Sequence, residues 1–434
     1  MKKVLFLLFV VALFSTPLLA QRTPGAAQEN PILLLNGTAH LGNGEVIENS
    51  AIAFDKGKLT IVADATVVRL DLDEFEVYNI AGKHIYPGLI APYTDIGLLE
   101  IEAVRATDDT YEVGTFNPNV RSIIAYNAES IVTPTIRSNG ILMAQVIPAG
   151  GRISGTSSIV QLDAWNYEDA IIKEDDAIII NWPKQWQFKG FWAGGGVDEN
   201  KKYKNQMFEL TDFIDQAAAY CTKNSNTIEN LKFEAMCACF DGNKKTIIEV
   251  EYVKDILNAI DFAEKYGLDL VLQGAKDAHL IKELIAEKNI PIILNPVHRL
   301  PASEDDDIDL PYKTAAILDE AGITFAFTGI DFSGDTRNLP FHAGTAVSYG
   351  LDAEKAIQSM TLNTAKILGI DDTVGSLVEG KDATLFISKG DILDIRSNHI
   401  EHAFIQGRKI DLGNRQKDLY KKYMGKYGLE VKQN

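Results

Sequence analysis

The side chains that could do chemistry in this chain include three carboxylates that come just after short apolar runs. Asp95 follows the run LIA, Glu251 follows TIIEV, and Asp331 stands in TGID after ITFAF. If these runs are neighbouring parallel strands, their carboxyl ends meet and the three acids can bind a hard cation through oxygen. The alternative is that they are ordinary solvated loop acids. The pattern therefore leaves two interpretations, a cation site and a set of surface residues.

A second group of polar side chains indicates ligand binding. His298 and Arg299 lie in NPVHRLP, directly after the apolar run IPIIL. A histidine beside an arginine at the end of a strand is suited to an anionic ligand. An exposed loop without a ligand is the alternative. His279 lies inside the predicted helix KDAHLIKELIAEKN, which is more typical of a structural or exposed histidine.

Repeated strand and helix patterns predict the elements that would position these residues. The runs TIIEV, LDLVL, IPIIL and ITFAF alternate with helical patterns, as in VKDILNAIDFAEKYG, where Val253, Ile256 and Ile260 share one face. Such alternation predicts an α/β fold with a (β/α)8 barrel over residues 87–374. An open doubly wound sheet is the alternative, and no GxGxxG follows a strand to support dinucleotide binding.

Both ends of the chain show strand patterns separated by turn residues. They run through residues 31–86 and return in DATLFISKGD and IEHAFIQGRKI within residues 375–412. We predict that these two distant segments pair into one small composite β-sandwich. Residues 21–30 carry Pro, Gly, Gln and Asn without periodicity and are predicted to be a linker. Residues 413–434 are predicted to form a C-terminal helical tail.

The stretch HIYPGLIAPYTDIG, residues 84–97, resembles the first barrel strand of the amidohydrolase superfamily. Members carry Pro-Gly-Leu-Ile-Asp followed by two histidines one residue apart; here Ala91 takes the aspartate position, and Tyr93 and Asp95 take the histidine positions. The stretches TLNTAKILGIDDTVGSLVEGKDATLFI and FAFTGIDFSGDTRNLPFHAGTAVSYGLDAEKA resemble the end of the family's barrel. The likeness is nearest to the secreted, imidazolonepropionase-like branch, and it implies hydrolysis of C–N bonds in cyclic amides, imides or amino-heterocycles.

The same resemblance implies a zinc site, whose usual ligands this chain largely lacks. Family members hold the ion with the paired histidines of strand one, a Lys or Glu of strand four and a His from each of strands five and six; an Asp on strand eight takes the proton. Here the strand-five position holds Glu249 or Glu251, and the strand-six position holds Gln273. We cannot place the strand-four ligand. Residues 87–374 contain three histidines: His279, His298 and His342.

These considerations give a set of expected site residues. Asp331 matches the strand-eight aspartate and is the catalytic candidate. The side chains expected to contact a small-molecule ligand are Tyr93, Gln273, His298 and Arg299. The weak candidates for a substitute metal site are Asp95, Glu251 and Asp331, and little or no zinc is expected to bind.

The N-terminus and the net charge limit where the protein works and what it contacts. Residues 1–20, MKKVLFLLFVVALFSTPLLA, have the basic start, short apolar core and small final residue of a cleaved secretory signal, and are too short for a membrane span. A periplasmic or secreted protein is therefore predicted. The net charge of -18 repels phosphate backbones, so nucleic acid is not an expected partner.

The chain has three cysteines: Cys221, Cys237 and Cys239. In an oxidising compartment one bridge is possible with one thiol left over, and the Cys-x-Cys spacing in MCACF is only a weak metal signal. Ordinary packing in the apolar run LKFEAMCACF is the favoured interpretation.

Two functions fit these observations. The first is a secreted hydrolase of C–N bonds whose metal site has changed, with reduced or altered activity. The second is a catalytically silent protein that binds a ligand, forms a homo-oligomer, or pairs with an active amidohydrolase relative.

Overall fold

The structure is a computed structural model. It describes residues 23–188, 196–222, 228–301, 305–329 and 333–430. The predicted signal at residues 1–20 and the catalytic candidate Asp331 lie outside the described residues.

Strands from both ends of the chain form one sheet, which we call the terminal sheet. Its strands are Ile32–His40, Val46–Asp55, Lys58–Asp64, Glu76–Asn79, His84–Pro87, Leu385–Ser388, Ile400–Ile405 and Arg408–Lys409. The two segments join where Leu385–Ser388 pairs antiparallel with His84–Pro87. Leu34 from the first segment and Phe404 from the second belong to one buried cluster. The prediction that the two distant segments pair is confirmed.

The terminal sheet is a single hydrogen-bonded sheet where a two-sheet sandwich was predicted. Its hairpin edge folds back on the C-terminal segment, since the Leu59 amide donates to the Lys381 carbonyl at 2.9 Å. Residues 23–30 have no helix or strand, but they are held on the body of the protein. The Gly25 amide donates to Asp163 Oδ2 at 2.8 Å, and Gln28 donates to the Phe54 carbonyl at 2.9 Å.

Between the terminal segments, eight strand positions follow one another around a ring. In order they are Leu89–Thr94, Ile141–Val146, the pair Ile153–Thr156 with Ser158–Gln161, Ala177–Asn181, Lys245–Val250, Asp269–Gly274, Ile292–Leu294 and Phe325–Phe327. The first two are parallel, and the fourth to the eighth are parallel in sequence order. The eighth lies against the first, where Thr328 Oγ1 donates to the Pro92 carbonyl at 2.9 Å.

The third strand position departs from the expected (β/α)8 repeat. Ser158–Gln161 runs antiparallel to the second strand, and Ile153–Thr156 runs antiparallel to the fourth. Only residues 147–152 separate the second strand from the third, whereas a parallel crossover needs about a dozen residues or more. A short glycine-containing loop therefore reverses the chain, and its strands form the wall of the ring.

The inside of the ring is filled by apolar side chains, one or two from each strand position. They are Ile90, Met143, Ile159, Ala177, Ile179, Ile247, Val271, Ile293 and Ala326. The helix Leu362–Leu368 covers the amino ends of the strands: Ala365 and Leu368 join the same cluster, and Lys173 Nζ donates to the Leu368 carbonyl at 3.2 Å. A ligand can therefore approach the ring only from the carboxyl ends of its strands, which we call the barrel mouth.

The remaining regular elements connect or flank these strands. The longer α-helices are Tyr203–Cys221, Leu231–Phe240, Val253–Tyr266, Lys282–Glu287, Leu310–Glu320, Leu339–Ser348, Ala353–Met360 and Arg415–Lys426. The shorter helices are Ser122–Ala125, Thr133–Arg137 and Tyr167–Ala170, with 3-10 turns at Leu72–Glu74, Arg105–Thr107, Ala278–Ile281 and Ser333–Asn338. The other strands are Ile171–Lys173, Trp186–Phe188 and Val197–Glu199. Within the described ranges, every helix is too short or too polar to cross a bilayer.

Helix Val253–Tyr266 buries the apolar face that its sequence pattern predicts. Ile256 and Ile260 are buried, as the predicted face requires, and the helix ends at Gly267, whose φ of 66° provides the left-handed cap. Each such helix covers the outer face of the parallel strands and so fixes their order.

A disulfide joins the helices Tyr203–Cys221 and Leu231–Phe240. It links Cys221 to Cys237, while Cys239 is a buried free thiol. The interpretation of ordinary packing therefore holds for Cys239 and is wrong for the other two. The two helices pack side by side, which brings Cys221 and Cys237 to a Cα separation of 5.3 Å, a distance that one bridge can span.

We expect reduction of this disulfide to lower stability. Closing a loop of about 15 residues contributes about 3 kcal/mol through the unfolded chain. Urea unfolding with and without reductant should show a lower midpoint for the reduced wild type. The C221S/C237S variant should match the reduced protein and ignore the reductant. Cys239→Ala is the matched control and should keep the reductant effect; a wild type that ignores reductant would show that the bridge is absent.

A chain of ionisable side chains links the terminal sheet to the ring's outer helices. Glu354 Oε1 lies 2.7 Å from His40 Nδ1, and His40 Nε2 lies 3.0 Å from His84 Nδ1. Tyr86 stacks on the His40 ring at 4.4 Å. Burial, and then the neighbouring His40, lower the pKa of His84, with Asp391 and Glu354 acting in the opposite direction.

The His84 pKa predicts a pH dependence with a definite sign. Because the folded state disfavours the imidazolium, the unfolded chain takes up this proton first as the pH falls below about 6.5, and the free energy of unfolding decreases. Between about pH 7.5 and about pH 5.5 the wild type should lose more stability than His84→Asn, whose amide does not titrate. Urea titrations at several pH values measure both slopes, and equal slopes would contradict the prediction.

Candidate active site at the barrel mouth

A layer of polar side chains lies directly above the apolar filling of the ring. Side chains alternate along a strand, so the inward position after Ile247 is Glu249 and the one after Val271 is Gln273. These two are paired in register, and Asn181 of the fourth strand is paired with Glu249. Three neighbouring strands therefore present a row of amide, carboxylate and amide at the mouth.

Tyr93 of the first strand reaches across the mouth to this row. Its hydroxyl donates to Glu249 Oε2 at 3.2 Å. Burial, and then the charge of Glu249, raise the pKa of the Tyr93 phenol well above its ordinary value. Tyr93 is therefore a neutral hydrogen-bond donor that orients the carboxylate.

The backbone at Tyr93 is strained and is held by a buried network. Its φ is +56°, a left-handed conformation that costs a non-glycine residue about 1–2 kcal/mol. The Tyr93 amide donates to Gln145 Oε1 at 3.1 Å, and Gln145 Nε2 donates to Asp176 Oδ2 at 2.7 Å. Ser157 also donates to Asp176, at 2.8 Å. Burial raises the pKa of Asp176 to about 6, so this support carries a titratable group.

Glu251 is engaged by two lysines. It accepts from Lys276 at 2.7 Å and from Lys184 at 3.4 Å. Burial raises the pKa of Glu251, but hydrogen bonding and charge from the two lysines outweigh it, so the net shift is downward. Lys184 lies 3.9 Å from Glu249, a weaker contact. The sequence interpretation missed both lysines, although each stands three residues or fewer beyond a predicted or observed strand end.

The sixth and seventh strands contribute a pair of amides. Gln273 Nε2 donates to Asn295 Oδ1 at 2.8 Å. Among the described residues, neither of these two side chains makes another hydrogen bond. The Gln273 carbonyl oxygen can therefore still accept a hydrogen bond, and the Asn295 amide nitrogen can still donate one. Together they present one acceptor and one donor side by side.

Asn181 occupies the end of the fourth strand, where the ligand could not be placed from sequence. Its Nδ2 donates to the Gly151 carbonyl at 2.9 Å and to Ser154 Oγ at 3.0 Å. The Arg152 guanidinium in turn donates to the Asn181 carbonyl at 2.5 Å. Asn181 therefore fixes the glycine-containing loop at the mouth.

The expected ligand-binding residues are not brought together. Tyr93 and Gln273 lie in the mouth, but His298 donates to or accepts from Thr345 Oγ1 at 2.7 Å and lines a separate groove of about 680 Å³ beside helix Leu339–Ser348. Arg299 lies in another small crevice with Lys276. Consecutive residues in this loop thus face different surfaces.

Two imidazoles near this groove have pKa values below the ordinary value for histidine. His298 packs against His342, with ring centroids 4.4 Å apart. Burial, and then His298, lower the pKa of His342 to about 4, and burial lowers that of His298. The downward shift disfavours the charged form of His298, which makes it less suited to the anionic ligand expected from the sequence.

The described residues do not fit the zinc site that the resemblance implies. Zinc needs three or four imidazole, thiolate or carboxylate donors directed at one point. The Glu249 carboxylate is oriented by Tyr93, and that of Glu251 is held by lysines. In the part of the chain that the structure describes, no three His, Cys, Asp or Glu side chains are grouped to hold an ion. Asp331 lies outside the described residues, so a substitute metal site built from Asp95, Glu251 and Asp331 stays a prediction.

Comparison with known proteins supports the fold and shows a similarity to one family. The sequence model of the amidohydrolase family matches residues 246–410. The crystal structure of an amidohydrolase from Thermotoga maritima MSB8 superposes with a TM-score of 0.76 at 22% identity, covering 88% of this chain and 99% of that one. It supports an α/β amidohydrolase fold with a separate sheet built from both chain ends.

Curated relatives match over shorter shares of their length. Amidohydrolase tasK of Hapsidospora irregularis is 16% identical over 374 residues, which is 79% of this chain and 38% of that protein. The imidazolonepropionase of Flavobacterium psychrophilum is 33% identical over 113 residues, which is 24% of this chain and 27% of that protein. This chain thus spans well under half the length of the curated relatives it matches. These matches show that residues 246–410 are similar to the amidohydrolase family and that the chain has the fold of a known amidohydrolase.

Proposed function

We propose that this protein acts on the C–N bond of a small cyclic amide or imide at the barrel mouth, without the zinc ligands usual in its superfamily. The observation that carries the proposal is the hydrogen bond of 3.2 Å between Tyr93 and Glu249. It joins two positions at which the resemblance places imidazole ligands. The site therefore presents an oriented carboxylate where a metal ion would otherwise be held.

The amide pair supports this class of ligand. A cyclic amide or imide presents a carbonyl and an N–H on one edge. The Asn295 amide nitrogen can donate to that carbonyl, and the Gln273 carbonyl oxygen can accept from that N–H. Glu249 is paired in register with Gln273, so its carboxylate lies beside a ligand bound in this way.

Glu249 is the group best placed to act as a general base. Its side chain is 33% exposed, so water can reach it, and Tyr93 fixes its orientation. Water held by Glu249 would attack the carbonyl carbon while its proton passes to the carboxylate. Protonated Glu249 would then give that proton to the ring nitrogen as the C–N bond breaks, which leaves the ring-opened acid and amine and restores the carboxylate. Asn295 would donate to the carbonyl oxygen as negative charge develops there.

The second candidate is a catalytically silent ligand-binding protein. It is favoured by the same Tyr93–Glu249 contact, because a carboxylate that is already hydrogen-bonded can recognise a ligand N–H without turning it over. Binding of the cyclic compounds with no product formed would select this candidate.

We also propose that the protein is exported. The motif at residues 1–20 supports this, as does the Cys221–Cys237 disulfide, since such bonds form and persist in oxidising compartments. Cell fractionation and N-terminal sequencing of the native protein test it, and a cytoplasmic chain that keeps Met1 would overturn it.

We expect Glu249→Gln to abolish turnover and Glu251→Gln to preserve most of it. General-base catalysis contributes about 100-fold to 10,000-fold, so kcat should fall by about 100-fold or more in the first variant. Hydrolysis of a panel of lactams, cyclic imides and N-blocked dipeptides, followed by mass spectrometry, provides the measurement. Glu251 is the matched control because it ends the same strand with its carboxylate paired to lysines. Wild-type rates in Glu249→Gln would contradict the proposal.

The purified protein should contain far less than one zinc per chain, and a chelator should leave ligand binding and turnover unchanged. The reason is the donor set, since carboxylates engaged by Tyr93 and by lysines do not assemble a zinc site. Elemental analysis and assays before and after chelation give the answer. About one zinc or more per chain, removable with loss of activity, would show that the ion is held after all.

A further inference from the structure

The C-terminal helix Arg415–Lys426 stands on the surface with no buried residue. Among the described residues, its cap and its first turn make hydrogen bonds to the body of the protein. Asn414 caps it by accepting from the Lys417 amide at 2.8 Å, and Asn414 Nδ2 donates to Ser138 Oγ at 3.2 Å. Thr135 Oγ1 donates to Gln416 Oε1 at 2.9 Å. These contacts fix the first turn against the body of the protein.

An apolar stripe runs along the helix beyond this anchor. Leu419, Tyr423 and Tyr427 are four residues apart and lie on one face, with Tyr420 beside them. Their exposed fractions rise from 40% at Leu419 to 50% at Tyr423 and 65% at Tyr427. The helix therefore diverges from the surface, and its apolar stripe faces solvent.

The charge of the helix is opposite to that of the rest of the chain. It carries five basic residues and one acidic residue: Arg415, Lys417, Lys421, Lys422, Lys426 and Asp418. The whole chain has a net charge of -18. A cationic helix with an aromatic stripe is therefore complementary to an acidic protein surface, and the surface of this same chain is acidic.

We propose that this helix docks on the acidic surface of a second copy of the chain. The exchange is reciprocal, so a two-fold dimer contains the contact twice. Two such helices packed only on each other would bury much less than the roughly 800 Å² per partner of a standard interface. Docking each helix on the body of the other copy gives a larger area and pairs the lysines with acids.

The test uses the protein without residues 1–20, studied by analytical ultracentrifugation over a range of concentrations. The wild type should be dimeric at micromolar concentration. The L419E/Y423E variant should raise the dimer dissociation constant by about tenfold or more, because it places charge in the centre of the contact. The K421E/K422E variant should also weaken the dimer, and so should about 1 M salt, which screens charges beyond about 3 Å.

Val67→Glu is the matched control. Val67 is an exposed apolar side chain outside the helix, 76% accessible, so the same chemical change there should leave the dimer intact. Circular dichroism checks that each variant is folded, and none of the substituted side chains is buried.

Three results would overturn the proposal. One is a wild type that stays monomeric at about 100 µM, a concentration well above that needed for micromolar binding. Another is a dimer that survives L419E/Y423E unchanged. The third is a monomer that binds vesicles containing anionic phospholipid through the same residues, which would assign the helix to a membrane surface.

Discussion

The hydrogen bond between Tyr93 and Glu249 connects the first and fifth strands in the polar layer of the barrel mouth. It exists because the ring below it is filled, so the first and fifth strands are held at a fixed separation and their inward side chains meet above the apolar layer. The apolar side chains inside the ring also leave no space for a ligand below this polar layer. The chemistry of the mouth is therefore that of one polar layer, made of Tyr93, Glu249 and the amides of the neighbouring strands.

Support for this layer comes from groups that do not face the ligand. Gln145 Oε1 accepts a hydrogen bond from the backbone amide of Tyr93, and Gln145 Nε2 donates one to Asp176. The hydrogen bond to Gln145 helps to offset the strain of the left-handed backbone conformation at Tyr93. Asp176 directly precedes the fourth strand, so the backbone position of Tyr93 on the first strand depends on a buried acid at the amino end of the fourth. The strained backbone at Tyr93 and the buried polar side chains of Gln145 and Asp176 therefore belong to one hydrogen-bonded network.

The order of the elements was predictable, and the register was not. Helical periodicity located Val253–Tyr266 and short apolar runs located the parallel strands, because burial imposes these patterns on the sequence. The fifth strand contains the consecutive apolar residues Ile247 and Ile248, so its alternation does not say which side faces inward. Only the structure shows that Glu249 faces the mouth and that Glu251 pairs with lysines.

The structure differs from the sequence predictions at three other places, and the sequence carried information about one of them. The loop of residues 147–152 is too short for a parallel crossover, and its length would have predicted the reversed third strand. The pairing of Cys221 with Cys237 had no such signal, since three cysteines allow three pairings. His298 and Arg299 are neighbours in sequence, but the loop turns between them and places them in separate crevices.

A comparison of two free energies indicates why we expect little zinc to bind at the mouth. Breaking one hydrogen bond to a carboxylate costs about 1.5–3 kcal/mol, whereas binding of zinc at a complete site releases about 10–16 kcal/mol. The Tyr93–Glu249 bond alone could therefore not keep the ion out. Our expectation rests instead on the donor set of the described residues, because the amides of Asn181 and Gln273 and the phenol of Tyr93 are not the usual ligands of zinc. The same bond is weak enough for Glu249 to exchange it for a hydrogen bond to water, as the proposed role of Glu249 as a general base requires.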